Sequence, residues 1–178
     1  MDVSSIRRLH RRGRAAGHRA GCDRRRLRLS EPGIEEHAYR LRQIGIGYAN
    51  LAALLLTLGI PYDSDEGRDW AAAVTALLTG VAYRCSAELA AALGPFAEFQ
   101  RNRAPMPHVI ERHVEALDRL GGEQPAEMLR AARREWNRAL ELGRRHGFRN
   151  AQATLIPPTG TVSLMLDCET TGIEPTTR

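Results

Sequence analysis

The chain has 178 residues, enough for one domain or for a piece of a larger one, and 43% of them are hydrophobic. Aromatics make up only 5%, so Ala and Leu carry the apolar content, which favours helices. The net charge of +5 belongs to one end: residues 1–28 hold ten Arg against Asp2 and Asp23, whereas residues 29–178 hold sixteen Arg against nineteen acids.

The longest apolar run, around Tyr48–Ile60, contains Asn50 and is too short to span a bilayer. The N-terminus lacks the apolar core of a secretory signal, so no membrane association is expected. Cys22, Cys85 and Cys168 are far apart and odd in number, and no Cys/His pair has zinc spacing. This cysteine usage predicts a reducing, cytoplasmic setting. All 26 basic residues are Arg; codon bias in a GC-rich genome explains the absence of Lys more simply than any physical demand.

Residues 1–30 show no periodicity. They are basic, low in complexity and broken by Gly13, Gly17 and Gly21, which predicts disorder. The texture changes near Gly33, dividing the chain into an Arg-rich arm, 1–32, and a helical body, 33–178. A first helix is predicted over 35–58, ended by Gly59 and Pro61, with Gly45 and Gly47 inside it. Asp63 is a candidate N-cap for a second helix, with Glu66 three residues on. Its stripe is Val74, Leu77, Leu78, Val81, Cys85 and Leu89, with Gly80 also in the helix, and Gly94-Pro95 ends it.

A third helix is expected from about Pro107 to Leu120, with Val109, His113, Leu117 and Leu120 on its stripe and Gly121-Gly122 as its breaker. Pro125 opens a fourth, carrying Leu129, Ala132, Trp136, Ala139 and Leu140, and Gly147 ends it. The period then changes, and Ala153-Thr154-Leu155-Ile156 reads as a short strand closed by Pro157-Pro158. A single strand makes no sheet, so its partners are expected on another part of a larger protein or on another copy. The fold class expected is mainly α with one or two short β segments.

Pro158-Thr159-Gly160-Thr161-Val162-Ser163 lies between that strand and an apolar run, Val162 to Leu166, able to begin a helix. A strand, a glycine turn and a helix start together favour an anion, because free N–H groups converge there. Gly160 allows close backbone approach, and Thr159, Thr161 and Ser163 offer hydroxyls. The GK[ST] of a Walker A loop is missing, and many PTG sequences are simple turns.

The surrounding wording is more specific. GFRNAQATLIPPTGTVSLMLDCETTGIEP resembles a segment of the adenosylcobalamin-dependent (class II) ribonucleotide reductases, and IGIGYANLAALLLTLGIPYDSDEGR, AELAAALGPFAEFQRNRAP and EWNRALELGRRHGFRN resemble the same family in the same order. The resemblance runs from roughly Gly33 to the C-terminus. It implies a partial piece of a ten-stranded α/β barrel, in which adenosylcobalamin supplies the radical that reduces the ribose 2′-OH of a ribonucleoside diphosphate, with a thioredoxin-like reductant as partner. It carries the substrate-phosphate role onto Pro158, Thr159, Gly160, Thr161 and Val162, with Ser163 a weaker candidate. Pro157 stands where the family often has Ala and Glu169 where it often has Asp; neither change touches the donors of the loop.

The family's radical cysteine lies in an Asn-x-Cys-x-Glu pattern, which does not occur in these 178 residues. No catalytic residue is therefore assigned, none of the three cysteines is promoted to that role, cofactor-binding residues remain unknown, and the chain alone is expected to be inactive. His108 and His113, five apart, lack HExxH spacing and are expected to be ordinary histidines. Trp70 and Trp136 are expected to pack, and Glu174 either stabilises a turn or contacts substrate.

The Arg-rich arm has three readings: nucleic-acid binding, a transit peptide, or out-of-frame translation, which the abrupt start of the resemblance favours. The alternative overall readings are a small helical protein whose basic arm binds nucleic acid, which the acidic body argues against, and a piece of an iron-dependent class I reductase.

Overall fold

The computed structural model describes residues 31–120 and 125–176. Residues 1–30 of the Arg-rich arm, the Gly121-Gly122 breaker and the last two residues therefore lie outside the described residues.

Helix α1, Pro32–Leu41, begins with Pro in its first turn, where its missing N–H costs nothing. It ends at Arg42, whose φ of 50° turns the chain out of the helix. Between the left-handed residues Arg42 and Asn50, residues 43–49 form a non-helical link with one bridge at Ile46. Helix α2, Leu51–Leu58, follows Asn50 at φ 68° and ends at Gly59 at φ 72°. The single helix expected over 35–58 is thus two helices with an extended link. Gly45 and Gly47 lie in that link, where they let another segment come close: a Cβ on Gly45 would meet the Leu155 side chain, and one on Gly47 would meet the Leu155 carbonyl.

Helix α3, Asp65–Leu93, is the spine of the molecule. Its N-cap is Ser64 rather than Asp63: the Ser64 hydroxyl oxygen accepts the Gly67 N–H at 3.0 Å. The expected reciprocal bond from Glu66 does not form among the described hydrogen bonds. Gly94 ends the helix, as its sequence signal indicated. A 3-10 turn, Ala97–Asn102, leads to α4, Pro105–Ala116, and another, Leu117–Arg119, follows it. Helix α5, Ala126–His146, closes back on α3 and stops at Gly147.

The core lies between α3 and α5. Ala73, Leu77, Val81 and Cys85 from α3 meet Met128, Ala132 and Trp136 from α5, with Leu55, Ile110 and Phe148 completing it. Each fully buried large side chain contributes about 1.5–3 kcal/mol. Gly80 lets Trp136 approach, because a Cβ there would sit 2.9 Å from Trp136 Cδ1. Trp136 also donates its Nε1–H to the Ala76 carbonyl at 2.9 Å, so the indole is placed by hydrogen bond as well as packing. Arg84, buried in α3, pairs with Glu88 and with Glu135 of α5. Burial opposes its charge, but Glu135 and Glu88 more than offset this and hold its pKa above the ordinary value.

The return segment passes beside the extended link. Ala151 N–H donates to Leu41 O at 2.9 Å, Ile44 N–H to Gln152 O at 2.9 Å, Ile46 N–H to Ala153 O at 3.0 Å, and Leu155 N–H to Ile46 O at 3.2 Å. The two segments run parallel, joined by one isolated bridge, Ile46 to Thr154. This corrects the expected β content: among the described residues there is no strand and no sheet, and neither short β segments nor part of a ten-stranded barrel is seen. Pro157 and Pro158 stop the ladder just after the bridge, since neither has an N–H to give. The partner of 153–156 is also within the chain, at 44–46, rather than on another copy.

Asn150 locks this junction. It is buried, donates Nδ2–H to Arg42 O at 2.8 Å, and exchanges bonds with the Ser86 hydroxyl of α3 at 3.0 Å. Arg149 donates to the Gly94 carbonyl at the end of α3, at 3.0 Å. The Arg-Asn pair therefore sets where the chain leaves the helices and enters the loop.

Candidate functional site

Beyond the bridge the chain passes through exposed Pro157 and Pro158 into the Thr-Gly-Thr loop. Gly160 has φ 55° and ψ −123°, a conformation open to Gly and costly for any residue with a Cβ. Helix α6, Thr161–Met165, follows. At five residues it is too short to build a useful macrodipole, so any anion affinity must come from individual donors.

The loop's hydrogen bonds divide its candidates into two sets. Thr159 faces inward: its N–H and its hydroxyl both donate to Thr171 O, at 2.6 and 2.8 Å. Val162 N–H goes to Thr159 O at 3.2 Å, while its side chain is exposed. Ser163 is buried and gives both its N–H and its hydroxyl to Gly160 O, at 3.1 and 2.6 Å. Pro158 has no N–H. The N–H groups of Gly160 and Thr161, and the Thr161 hydroxyl, have no partner among the described residues, and both residues are exposed. The outward donors of the loop are therefore concentrated on two adjacent residues. Residues 150–176 contain no Arg, Lys or His, so this set offers neutral donors rather than a cation.

The turn over 169–172 holds the loop from behind. Glu174 Oε1 accepts Thr171 N–H at 2.8 Å, the Thr171 hydroxyl at 2.9 Å and Gly172 N–H at 3.1 Å. Hydrogen bonds from its own backbone N–H and from Thr171 keep this carboxyl below the usual carboxylate range. Glu174 thus stabilises a turn. Tyr62 donates its hydroxyl to Ile173 O at 2.5 Å. Asn50 Oδ1 accepts Glu169 N–H at 2.9 Å and Thr170 N–H at 3.4 Å, and Asn50 N–H donates to Gly172 O at 2.7 Å. Sequence reasoning missed Asn50 and Tyr62 as supports of the loop. The available signal, for Asn50 alone, was an amide side chain inside the apolar run Tyr48–Ile60.

The other sequence candidates lie apart from this network. Cys85 is buried in the helical core, and Cys168 is partly exposed; neither is in a disulfide, and Cys22 lies outside the described residues. His108 is exposed with Nδ1 3.5 Å from Glu111 Oε2. His113 stacks on Trp136, ring centroids 4.8 Å apart, and burial with the nearby Arg112 charge lowers its pKa. Trp70 is buried, as expected for packing. Among the described residues no group of three or more His, Cys, Asp or Glu is placed to hold a metal ion, and no helix is long and apolar enough to cross a membrane.

Comparison with known proteins settles the family. The family model described as ribonucleotide reductase, barrel domain, matches residues 28–178. The chain belongs to the ribonucleotide reductase family. A vitamin B12-dependent ribonucleotide reductase of Rhodopirellula baltica is 49% identical over 146 residues, covering 82% of this chain and 14% of the relative. One of Agrobacterium fabrum is 49% identical over 158 residues, covering 80% and 12%. A ribonucleoside-diphosphate reductase subunit alpha of Chlamydia muridarum is 28% identical over 142 residues, covering 80% and 14%. The chain thus spans about one-seventh of the length of these relatives.

Proposed function

We propose that the chain works as part of an adenosylcobalamin-dependent ribonucleotide reductase, and that its Thr-Gly-Thr loop receives the phosphates of a ribonucleoside diphosphate. The observation that carries the cobalamin class is the 49% identity to relatives named vitamin B12-dependent, against 28% for the diphosphate reductase alpha subunit. That contrast favours class II over class I. The loop reading is supported by the unspent N–H groups of Gly160 and Thr161, which stand side by side on an exposed turn.

In this reading each residue has a defined task. Gly160 and Thr161 donate backbone N–H to phosphate oxygens, and the Thr161 hydroxyl adds a third donor. Thr159 and Ser163 keep the turn's shape through Thr171 O and Gly160 O, so they act on the phosphate only through the backbone. Pro158 restricts entry into the turn and Val162 lies at its exposed edge. With no cation in the segment, the loop orients the diphosphate rather than neutralising it.

Adenosylcobalamin, when bound, supplies the radical that starts ribose reduction. The described residues show no site for that group: the cavity between α3, α4 and Trp136, about 370 Å³ and open to solvent, is lined mostly by Ala, Leu and Thr side chains. No residue of this chain is therefore assigned to the cofactor. No Asn-x-Cys-x-Glu occurs in the sequence either, so the chain by itself is not expected to turn over substrate. A thioredoxin-like reductant, a cytoplasmic setting and the division into an arm, 1–32, and a reductase body, 33–178, belong to the same proposal.

Calorimetric titration of CDP into the 178-residue chain tests the loop. Binding near 1 mM is expected, worth about 4 kcal/mol. Gly160→Val should abolish it, because no Cβ-bearing residue adopts this backbone without strain, although the space around the position is open. Equal binding by the variant would remove the loop from the reading.

A further inference from the structure

Asn50 is 119 residues from Glu169 in sequence, yet it makes three hydrogen bonds to the turn over 169–172. Its backbone is left-handed, at φ 68° and ψ 30°. Among residues with side chains, Asn is one of the few that enter this region readily. If the fold required only the backbone conformation between the extended link and α2, Gly would meet it with less strain. Asn adds an acceptor, and that acceptor is spent on Glu169 N–H and Thr170 N–H. The same turn presents the Thr171 carbonyl that takes both donors of Thr159, the residue just before Gly160. A continuous hydrogen-bonded path therefore runs from Asn50 through the turn to Thr159 and the outward N–H groups.

We propose that Asn50 is a positioning residue: its side-chain oxygen fixes the 169–172 turn, and through Thr171 O it sets the direction of the Gly160 and Thr161 N–H groups that receive substrate phosphate. This rests on the phosphate reading of the loop. Glu174 and Tyr62 brace the same turn at its other groups, Thr171, Gly172 and Ile173, which leaves the Glu169 and Thr170 N–H groups to Asn50. The three braces do not duplicate one another, so removing Asn50 frees one end of the turn.

Two substitutions separate positioning from folding. Asn50→Gly keeps the left-handed backbone and deletes only the acceptor, whereas Asn50→Asp keeps an acceptor of the same reach. CDP would be titrated into the full chain and each variant, with thermal unfolding and Thr159 amide hydrogen exchange followed in the ligand-free proteins. Asn50→Gly should weaken CDP binding about tenfold, the loss expected from two hydrogen bonds, and speed Thr159 exchange. Asn50→Asp should bind within about threefold of wild type and restore Thr159 protection. Wild-type CDP affinity in Asn50→Gly, or an equal loss in both variants, would overturn the positioning role while leaving the loop reading intact. Absence of CDP binding by the wild-type chain would instead overturn the phosphate reading and this inference with it.

Discussion

His113 is exposed on one side and lies against Trp136 on the other, with ring planes 14° apart. Its pKa is lowered, first by desolvation and then by Arg112, so the folded chain binds its proton at lower pH than the unfolded chain does. Between the lowered folded value and the ordinary 6.5, the unfolded state holds the extra proton. This contribution to stability is complete above about pH 6.5 and is lost as pH falls through that window, and solvent screening keeps it small because His113 is exposed. His113→Phe keeps a ring on Trp136 and removes the proton. In urea unfolding from pH 7.5 to 5, the variant should gain stability relative to wild type as pH falls; a difference independent of pH would contradict the assignment. Similar reasoning at Glu174 is about shape rather than stability: it is exposed, and what its charge does is collect three donors into one turn.

At the scale of elements, the α3–α5 contact decides the fold, and Gly80 sits at its tightest point. Ala there would gain helix propensity of about 1 kcal/mol, but its Cβ would meet an indole held by Ala76 O and stacked by Tyr83 and His113. Overpacking of about 1–3 kcal/mol should win, so Gly80→Ala is expected to lower Tm by about 2–6 °C. An unchanged or raised Tm would show that Trp136 can give way. The long helices were legible because their stripes and stop residues are local: Gly94 and Gly147 end α3 and α5 where the sequence indicates. The split of 35–58 was not. Ile44 and Ile46 alternate with Gly45 and Gly47, a period of two, but what makes the link extended is Leu155, over a hundred residues away, pressing against both glycines. The expected strand failed for a related reason. Ala153–Ile156 has strand chemistry, but a strand is a property of paired segments, and one bridge to Ile46 is all that the described residues provide. In the loop, the residue types alone left an anion site and a simple turn both open, and the inward bonds of Thr159 to Thr171 O and of Ser163 to Gly160 O could not be read from spacing.

For the molecule as a whole, the helices hold one short segment, the Thr-Gly-Thr loop, at their edge. Arg149 and Asn150 fasten the chain to α3, the link at 44–46 aligns the residues that lead into the loop, and Asn50, Tyr62 and Glu174 shape the turn behind it. Val162, Leu164, Met165 and Leu166 remain exposed at the tip, so α6 gains little from burial and the loop depends on its hydrogen bonds. The most direct test is an amide NMR titration of the wild-type chain with CDP, inorganic pyrophosphate and cytidine. Gly160 and Thr161 should shift with CDP and with pyrophosphate and stay in place with cytidine. Shifts that track cytidine equally, or no shift at either amide, would contradict a phosphate-binding loop.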